Sequence, residues 1–335
     1  MIMSDKGIFI KDIKENNHID GLFLVKTKNN GITKNGKPYL SVTLTDKSGD
    51  VTARVWDNAD KLTAMFDQGD IVAAKAYSVL YQGSLQLNIS FIQRHMCENE
   101  RLRDFLPASS HDPEECFKQL MDFVQSVGNM HLKKLLETIF KDDAVLCAFK
   151  TAPAAKSIHH DYLGGLLEHT LNITRLANDM AKHYVNINRD LLIAGAILHD
   201  IGKIRELCFE RNFEYTDAGR LSGHIILGIE LINDKLKLLP DFPQDLALVL
   251  KHLIVSHHGQ YEFGSPKRPK TLEALMLSYL DDIDAKMYGF ASCIKKERSS
   301  DSKWTGFNRL FDRYLYTDTF IEDATDPSAD SENNE

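Results

Sequence analysis

Nowhere in its 335 residues does the chain hold an uninterrupted apolar run of about 18, the length a membrane-spanning helix needs, so no membrane association is expected. The N-terminal stretch MIMSDKGIFIKDIKENN lacks the apolar segment and small-residue cleavage site of a secretory signal. Cysteine is sparse: Cys97, Cys116, Cys147, Cys208 and Cys293 are scattered, odd in number and free of CxxC spacing. This pattern excludes a disulfide framework and reads as reduced packing thiols in a cytoplasmic protein. Internal repeats are missing, and the one biased segment is the acidic C-terminal IEDATDPSADSENNE. Positive charge is short as well. A net charge of −8, carried partly by that tail, neither supports nor excludes a local basic groove.

What the chain does have is two halves of different period, which its length divides into two domains of ordinary size. Residues 1–95 read as strands: HIDGLFLVKTKNNGITKNGKPYLSVTLTDKSGDVTARVWDN alternates apolar and polar residues between Asn-Asn-Gly, Asn-Gly-Lys and Ser-Gly-Asp turn signals. A short helix is expected at 59–66, and GDIVAAKAYSVLYQGSLQLNISFIQRH supplies two more strands. Three strands, a helix and two strands is the order of a five-stranded OB-type barrel. On the surface of its first three strands lie Lys26, Lys28, Lys34, Lys37, Tyr39, Arg54 and Trp56. Cations interleaved with aromatics suit phosphate contact and base stacking, and we assign nucleic-acid binding to Lys26, Lys37, Tyr39, Arg54 and Trp56. Tyr39 and Trp56 equally suit closing the barrel core. Asp46, Asp50, Asp57, Asp60 and Asp67 dilute the basic surface.

Residues 96–112 read as a linker ending in the helix-start signal SSHDPEE, and 113–318 as an all-α bundle, with a disordered acidic tail at 319–335. Helices are expected at 163–184, 189–201, 221–236, 243–257 and 271–290.

The chemistry rests on histidine. Of the 13, His18, His95, His111, His131, His183 and His252 read as surface or internally satisfied groups. The others form an ordered series with carboxylates: His159-His160, LLEHT with His169, LHDIGK with His199-Asp200, SGH with His224, SHHG with His257-His258, and YLDDIDAK with Asp281, Asp282 and Asp284. Each group sits near a helix end, beside a glycine or another breaker. Neutral imidazoles and carboxylates are the ligands of Mn, Fe, Co, Ni or Zn, and ends of several helices can converge while leaving an open position. Leu191–Ile204, LLIAGAILHDIGKI, is too apolar to carry an unpaired His-Asp into a core, so a cation is expected to compensate the pair. The two side chains lie about 100° apart on a helix. A helix end loosened by Gly202 would let both reach inward, the carboxylate bridging two ions.

HHDYLGGLLEHTLNITRLA, AGAILHDIGKI and LSYLDDIDAKM resemble the HD phosphohydrolase superfamily in order and spacing. That resemblance implies His169, His199, Asp200 and Asp281 as the core metal set. Asp281 is preferred to Asp282 because it stands two residues before the Ile283-Asp284-Ala285 step. It further implies His224, His257 and His258 as the second site of a two-metal centre. Asp200, Lys203 and His160 are the candidate catalytic residues, Lys203 resting a cation against phosphate and His160 donating to phosphate or to the leaving oxygen. Arg220 and Glu168 are weaker candidates.

An OB module followed by an HD domain resembles the YhaM-type 3′→5′ exoribonucleases over residues 8–316, including HIILG, SHHG and KWTGFNRLFDRYLY. The resemblance implies hydrolysis of single-stranded RNA, with single-stranded DNA also compatible, by two divalent ions. Mn²⁺ is favoured, and Fe²⁺ or Co²⁺ fits the same ligands. A homo-oligomer would gather several barrels around the active sites. The alternative is an HD hydrolase of small nucleotides or cyclic dinucleotides with the barrel as an assembly or regulatory module. A third reading, a non-catalytic nucleic-acid binder, conflicts with the complete ligand series.

Overall fold

The computed structural model describes residues 6–33, 35–95, 99–109, 111–156, 162–208, 214–298 and 302–318. The chain forms two compact units, Met1–Asp281 and Asp282–Glu335.

The first unit opens with the barrel. Strands β1 (His18–Ile32), β2 (Pro38–Asp46), β3 (Gly49–Val55), β4 (Ile71–Tyr81) and β5 (Ser84–Arg94) close in the order β1-β2-β3-β5-β4. Every neighbouring pair is antiparallel except β3 with β5, which align Arg54 with Asn88 in parallel. The period-2 alternation decides what faces inward. Leu40, Val42 and Leu44 of β2 are buried with Ala53, Val55 and Leu87, while Tyr39, Ser41 and Thr43 face outward. Helix α1 (Ala59–Thr63) sits between β3 and β4, as expected from the sequence, and Ala59 and Phe66 join the barrel core.

After β5, Leu102, Phe105 and Leu106 bury themselves against Leu22, Leu24 and Ile71 of the barrel and against Leu163 at the entry to the helices. The helical region comprises α2 (Pro113–Ser126), α3 (Met130–Phe140), α4 (Asp143–Thr151), α5 (Gly165–His183), α6 (Arg189–Leu198), the single turn α7 (Lys203–Glu206), α8 (Asp217–Leu236), α9 (Gln244–Ser256) and α10 (Leu272–Glu297). A two-residue hairpin, β6 (Leu207–Cys208) with β7 (Glu214–Tyr215), interrupts the series between α7 and α8. Asp112, Asn129, Asp142 and Asn188 cap their helices with side-chain oxygens, the usual use of these residues at helix starts.

Helix α6 is the centre of the bundle. All eight residues from Leu191 to Leu198 are buried, and Gly195 lets α9 approach so closely that a Cβ there would stand 2.4 Å from Leu253 Cδ2. A helix enclosed on every side delivers the residues at its C-terminal end into the interior. Those residues are His199 and Asp200.

In the second unit the end of α10 is followed by a hairpin at 302–318, joined by bridges between Trp304 and Tyr316 and between Asn308 and Arg313. Among the described residues no helix is long and apolar enough to cross a membrane.

Candidate metal centre

Five helices and the turns that end them bring the described members of the series from His169 to Asp281 together. His169 lies on α5, His199 and Asp200 come directly after α6, His224 lies on α8, His257 and His258 close α9, and Asp281 lies on α10. His169, His199 and His257 are completely buried, and Asp200 is 2% exposed.

Local backbone chemistry aims these groups. Helix α8 begins at Asp217, earlier than its apolar pattern suggests, because Thr216 accepts a hydrogen bond from the Gly219 amide at 2.9 Å. It then breaks its helical path at Gly223, whose φ of 73° falls in the left-handed region that glycine adopts without strain, and His224 leaves the kink toward Asp200. Gly202 does not loosen the end of α6 as expected. Its φ is −66°, ordinary right-handed geometry. Its value is the absence of a side chain: a Cβ would stand 1.9 Å from the His224 carbonyl oxygen and 2.5 Å from the Gly228 nitrogen. Glycine at 202 is what lets the His-Asp turn lie directly on α8.

The converging atoms form two groups around one carboxylate. His169, His199 and Asp281 bring one donor atom each within 4.8 Å of one another, and so do His224, His257 and His258. Asp200 stands between them. Its Oδ2 lies 3.4 Å from Nε2 of both His169 and His199, and its Oδ1 lies 3.4 Å from His224 Nε2 and 3.6 Å from His257 Nε2. Asp281 Oδ1 is 3.3 Å from His169 Nε2 and 3.8 Å from His199 Nε2, whereas Asp282 turns to Lys286 at 2.7 Å.

Outer contacts orient the rings. Nδ1 of His199 faces the Ala196 carbonyl at 2.8 Å, Nδ1 of His257 faces Ile254 O at 2.7 Å, and Nδ1 of His258 faces Phe263 O at 2.9 Å. A carbonyl can only accept, so Nδ1 carries the hydrogen in each and the Nε2 lone pair is free to bind. His224 is held differently: Glu206 Oε1 accepts from its backbone N–H at 2.9 Å and faces its Nδ1 at 3.1 Å. Glu206 is the residue that sequence reasoning missed. It is an acid on a one-turn helix with no motif around it, and the signal was only its place six residues after Asp200.

Electrostatics agree with this geometry. Burial alone would raise the Asp200 carboxyl, but Lys203, His199 and His169 outweigh it and hold the group well below the usual carboxylate range. Asp281 is held low in the same way, chiefly by His169 and His199. Burial, with neighbouring imidazoles, lowers His258 to about 4, and burial lowers His257. Burial thus favours the neutral form of His257 and His258 beside the ionised carboxylates of Asp200 and Asp281. Asp200 Oδ1, His224 Nε2 and His257 Nε2 are buried without a hydrogen-bond partner, a costly condition for three polar atoms that face one another. A divalent cation fits this donor set: it satisfies all three atoms, and nitrogen with carboxylate oxygen suits a borderline metal.

The remaining candidates divide. Lys203 is buried with Nζ 2.5 Å from Asp200 Oδ2, so its charge is directed at the carboxylate, and the surrounding acids raise its pKa against the effect of burial. His160 and Lys34 lie outside the described residues. Glu168 accepts from Ser109 Oγ at 2.7 Å, and Arg220 is exposed, 3.5 Å from Glu214. His252 accepts from the Lys270 amide at 2.9 Å, away from the histidine series.

On the barrel, Tyr39, Arg54 and Trp56 assemble. The Tyr39 and Trp56 rings are 5.2 Å apart, the Arg54 guanidinium stands 5.1 Å from the Tyr39 ring, and Trp56 Nε1 donates to Asn88 Oδ1 at 3.0 Å. Trp56 is 40% exposed and neither ring belongs to the barrel core, which removes the alternative that they close it. The lysines do not join this cluster. Lys26 pairs with Asp50 at 2.5 Å and Lys37 with Asp57 at 2.7 Å, while Lys28 donates to the carbonyls of Thr63 and Phe66.

Residues 166–286 match the family model of the HD domain, and residues 24–94 match that of the OB-fold nucleic acid binding domain. A helicase-family model overlaps at 114–190, a stretch without a Gly-Lys-Ser/Thr phosphate loop. Barrel, bundle and buried His/Asp centre define the class: an HD-domain phosphodiester hydrolase, metal-dependent, carrying an OB-fold module. The 3′-5′ exoribonuclease YhaM of Bacillus velezensis is 35% identical over 318 residues, 94% of this chain and 99% of that protein. That of Bacillus subtilis is 32% identical over 316 residues, again 94% and 99%. The chain belongs to the YhaM 3′-5′ exoribonuclease family. Among solved structures, the second OB-fold domain of replication protein A from Methanococcus maripaludis matches 27% of this chain and 96% of its own, at 18% identity and a TM-score of 0.23.

Proposed function

We propose that this chain removes nucleotides one at a time from the 3′ end of single-stranded RNA, by metal-dependent hydrolysis at the His/Asp centre. One observation supports this reading above the rest: Asp200 stands between two ligand triads with one oxygen toward each, and three of the facing atoms have no other partner. His169, His199 and Asp281 would hold one ion and His224, His257 and His258 a second, with Asp200 shared. Mn²⁺ is the ion we propose. Two divalent ions at such a centre supply Lewis-acid polarisation of the phosphate and a lowered pKa for attacking water.

The protein's part is positioning. Ala196, Ile254, Phe263 and Glu206 fix the four rings, so that their free nitrogens need no rearrangement before binding. Lys203, with Nζ 2.5 Å from Asp200 Oδ2, would keep that carboxylate ionised and set a cation beside the centre, where the charge on phosphoryl oxygens increases during displacement. Water adds to phosphorus and the bond to the 3′ oxygen of the preceding nucleotide breaks. That oxygen takes a proton, a role we give to His160, and the released nucleotide keeps its phosphate on the 5′ side. Tyr39, Arg54 and Trp56 would hold the strand by stacking and charge, with Lys26 and Lys37 alongside. Recognition of that kind carries little sequence preference.

The test uses 5′-labelled single-stranded RNA and its DNA equivalent, each with Mn²⁺ or with chelator, beside His199→Ala. A descending ladder that requires both metal and His199 is the expected result, and the DNA lanes report sugar preference. Intact oligomer in every lane, with turnover of a mononucleotide or cyclic dinucleotide, would replace this reading with the small-molecule one.

A further inference from the structure

We infer that the hairpin at 302–318 is a second surface for single-stranded RNA, in addition to the barrel's aromatic cluster; the inference rests on the reading of the chain as an RNA hydrolase. The hairpin is closed without most of its aromatic rings. Thr305, Leu315 and Thr317 are its buried residues, Thr305 N donates to Leu315 O at 2.9 Å, and Phe311 packs on Phe290 at 4.9 Å. Trp304, Phe307, Tyr314 and Tyr316 are left 55%, 51%, 59% and 40% exposed. They stand in two edge-to-face pairs, Trp304 with Tyr316 at 5.1 Å and Phe307 with Tyr314 at 5.4 Å. Four exposed rings within 13 positions exceed what a solvated turn needs and mark a binding surface.

Charge selects the partner. Over residues 295–318 the sequence carries six cations, Lys295, Lys296, Arg298, Lys303, Arg309 and Arg313, against four carboxylates, Glu297, Asp301, Asp312 and Asp318. Two of those carboxylates are already engaged: Glu297 accepts from the Gly306 amide at 2.8 Å, and Asp318 pairs with Lys303 at 2.5 Å. A local excess of cations in a chain of net charge −8 is what a polyanion would meet. The hairpin exposes a single large aliphatic side chain, Leu310, so its exposed apolar surface is almost wholly aromatic. Exposed aromatics interleaved with Arg are a stacking surface for unpaired bases, tolerant of sequence because every base has a face to stack.

The chain has two tryptophans, Trp56 on the barrel and Trp304 on the hairpin, so each surface has its own fluorophore. Full-length Trp56→Phe would be titrated with a single-stranded RNA oligomer in chelator, where RNA is bound without being cut. Trp304→Phe would be titrated in parallel. The expected result is saturable quenching of Trp304 that weakens as salt rises. Arg309→Glu with Arg313→Glu, both exposed, should lower that affinity by roughly tenfold and flatten its salt dependence. Quenching of Trp56 with Trp304 unmoved would overturn the hairpin surface and leave the exonuclease reading standing. Silence from both would count against RNA binding as a whole. A Trp304 signal that tracks protein concentration without RNA, with a lower mass by light scattering for Trp304→Ala, would make the hairpin a contact between copies and overturn the inference.

Discussion

The bundle and the barrel treat their functional side chains in opposite ways. In the bundle His199 and His257 are buried and His224 and His258 half-buried, and all four are clamped at Nδ1 by carbonyls or Glu206, which turns Nε2 toward the centre. On the barrel the lysines are exposed and occupied, Lys26 by Asp50 and Lys37 by Asp57, while the rings of Tyr39 and Trp56 stand open. The first arrangement is preorganised, and its cost is buried polar atoms that only a cation satisfies. The second gives up little to solvent and, on the proposed reading, would hold a strand through faces that any base can use. Chemistry needs the fixed geometry; transport of a changing 3′ end needs the tolerant one.

The largest effect should come from breaking the shared carboxylate. Asp200→Asn keeps the shape but loses the charge that both triads face. RNA hydrolysis should fall by at least about a hundredfold, the upper range for removing even an outer partner of a ligand. A second readout does not need activity. Mn²⁺ at about 100 times its Kd should stabilise the parent chain by about 2.7 kcal/mol, seen as a rise in Tm, and should move Asp200→Asn far less. An equal rise in both would remove Asp200 from the centre.

Next is Glu206→Ala, which releases the His224 ring and its backbone amide together. Mn²⁺ affinity by calorimetry should weaken by about 10–100-fold. Glu206→Gln, which retains an acceptor oxygen, should restore much of it. Unchanged affinity in the alanine variant would mean that the Gly223 kink alone aims His224.

Most of the architecture was readable because two periodicities seldom confuse one another. Alternation in LSVTL made a strand with Leu40, Val42 and Leu44 inside, and the run Leu191–Leu198 had to be an enclosed helix. Of the His/Asp centre, only the His199-Asp200 pair at the end of an apolar helix was legible from burial; the other members were legible through the resemblance of their order and spacing to the HD superfamily. Three things were not. Glu206 acts through His224, and nothing in sequence spacing records a contact across 18 residues. Gly202 was read as a flexible end, whereas what it supplies is space against α8, visible only once α8 is placed. The pairing of Lys26 and Lys37 depends on which aspartates their strands present beside them, which composition does not give.

The barrel should respond more gently. Trp56→Ala removes one of the two open rings, and loss of one base stack is worth about 1–3 kcal/mol of RNA affinity. Hydrolysis of a small phosphodiester, which has no strand to hold, should stay at the parent level. A parallel fall in both would place Trp56 in the support of the fold rather than on the strand's path, and a thermal melt would show it.

The smallest effect tests the lysines themselves. If Asp50 and Asp57 neutralise Lys26 and Lys37, then Asp50→Asn with Asp57→Asn frees two cations for phosphate without moving an aromatic ring. Exposed pairs of this kind are worth about 0–1 kcal/mol each, so affinity should rise only a few-fold at low salt. The sharper signal is the slope: each phosphate newly contacted on a single strand steepens the dependence of log K on log salt by about 0.7. A steeper slope with tighter binding makes the paired lysines a reserve of phosphate contacts held in check by the barrel's own acids. An unchanged slope means that the strand passes over Tyr39, Arg54 and Trp56 without reaching either lysine, and the tolerant surface narrows to those three residues.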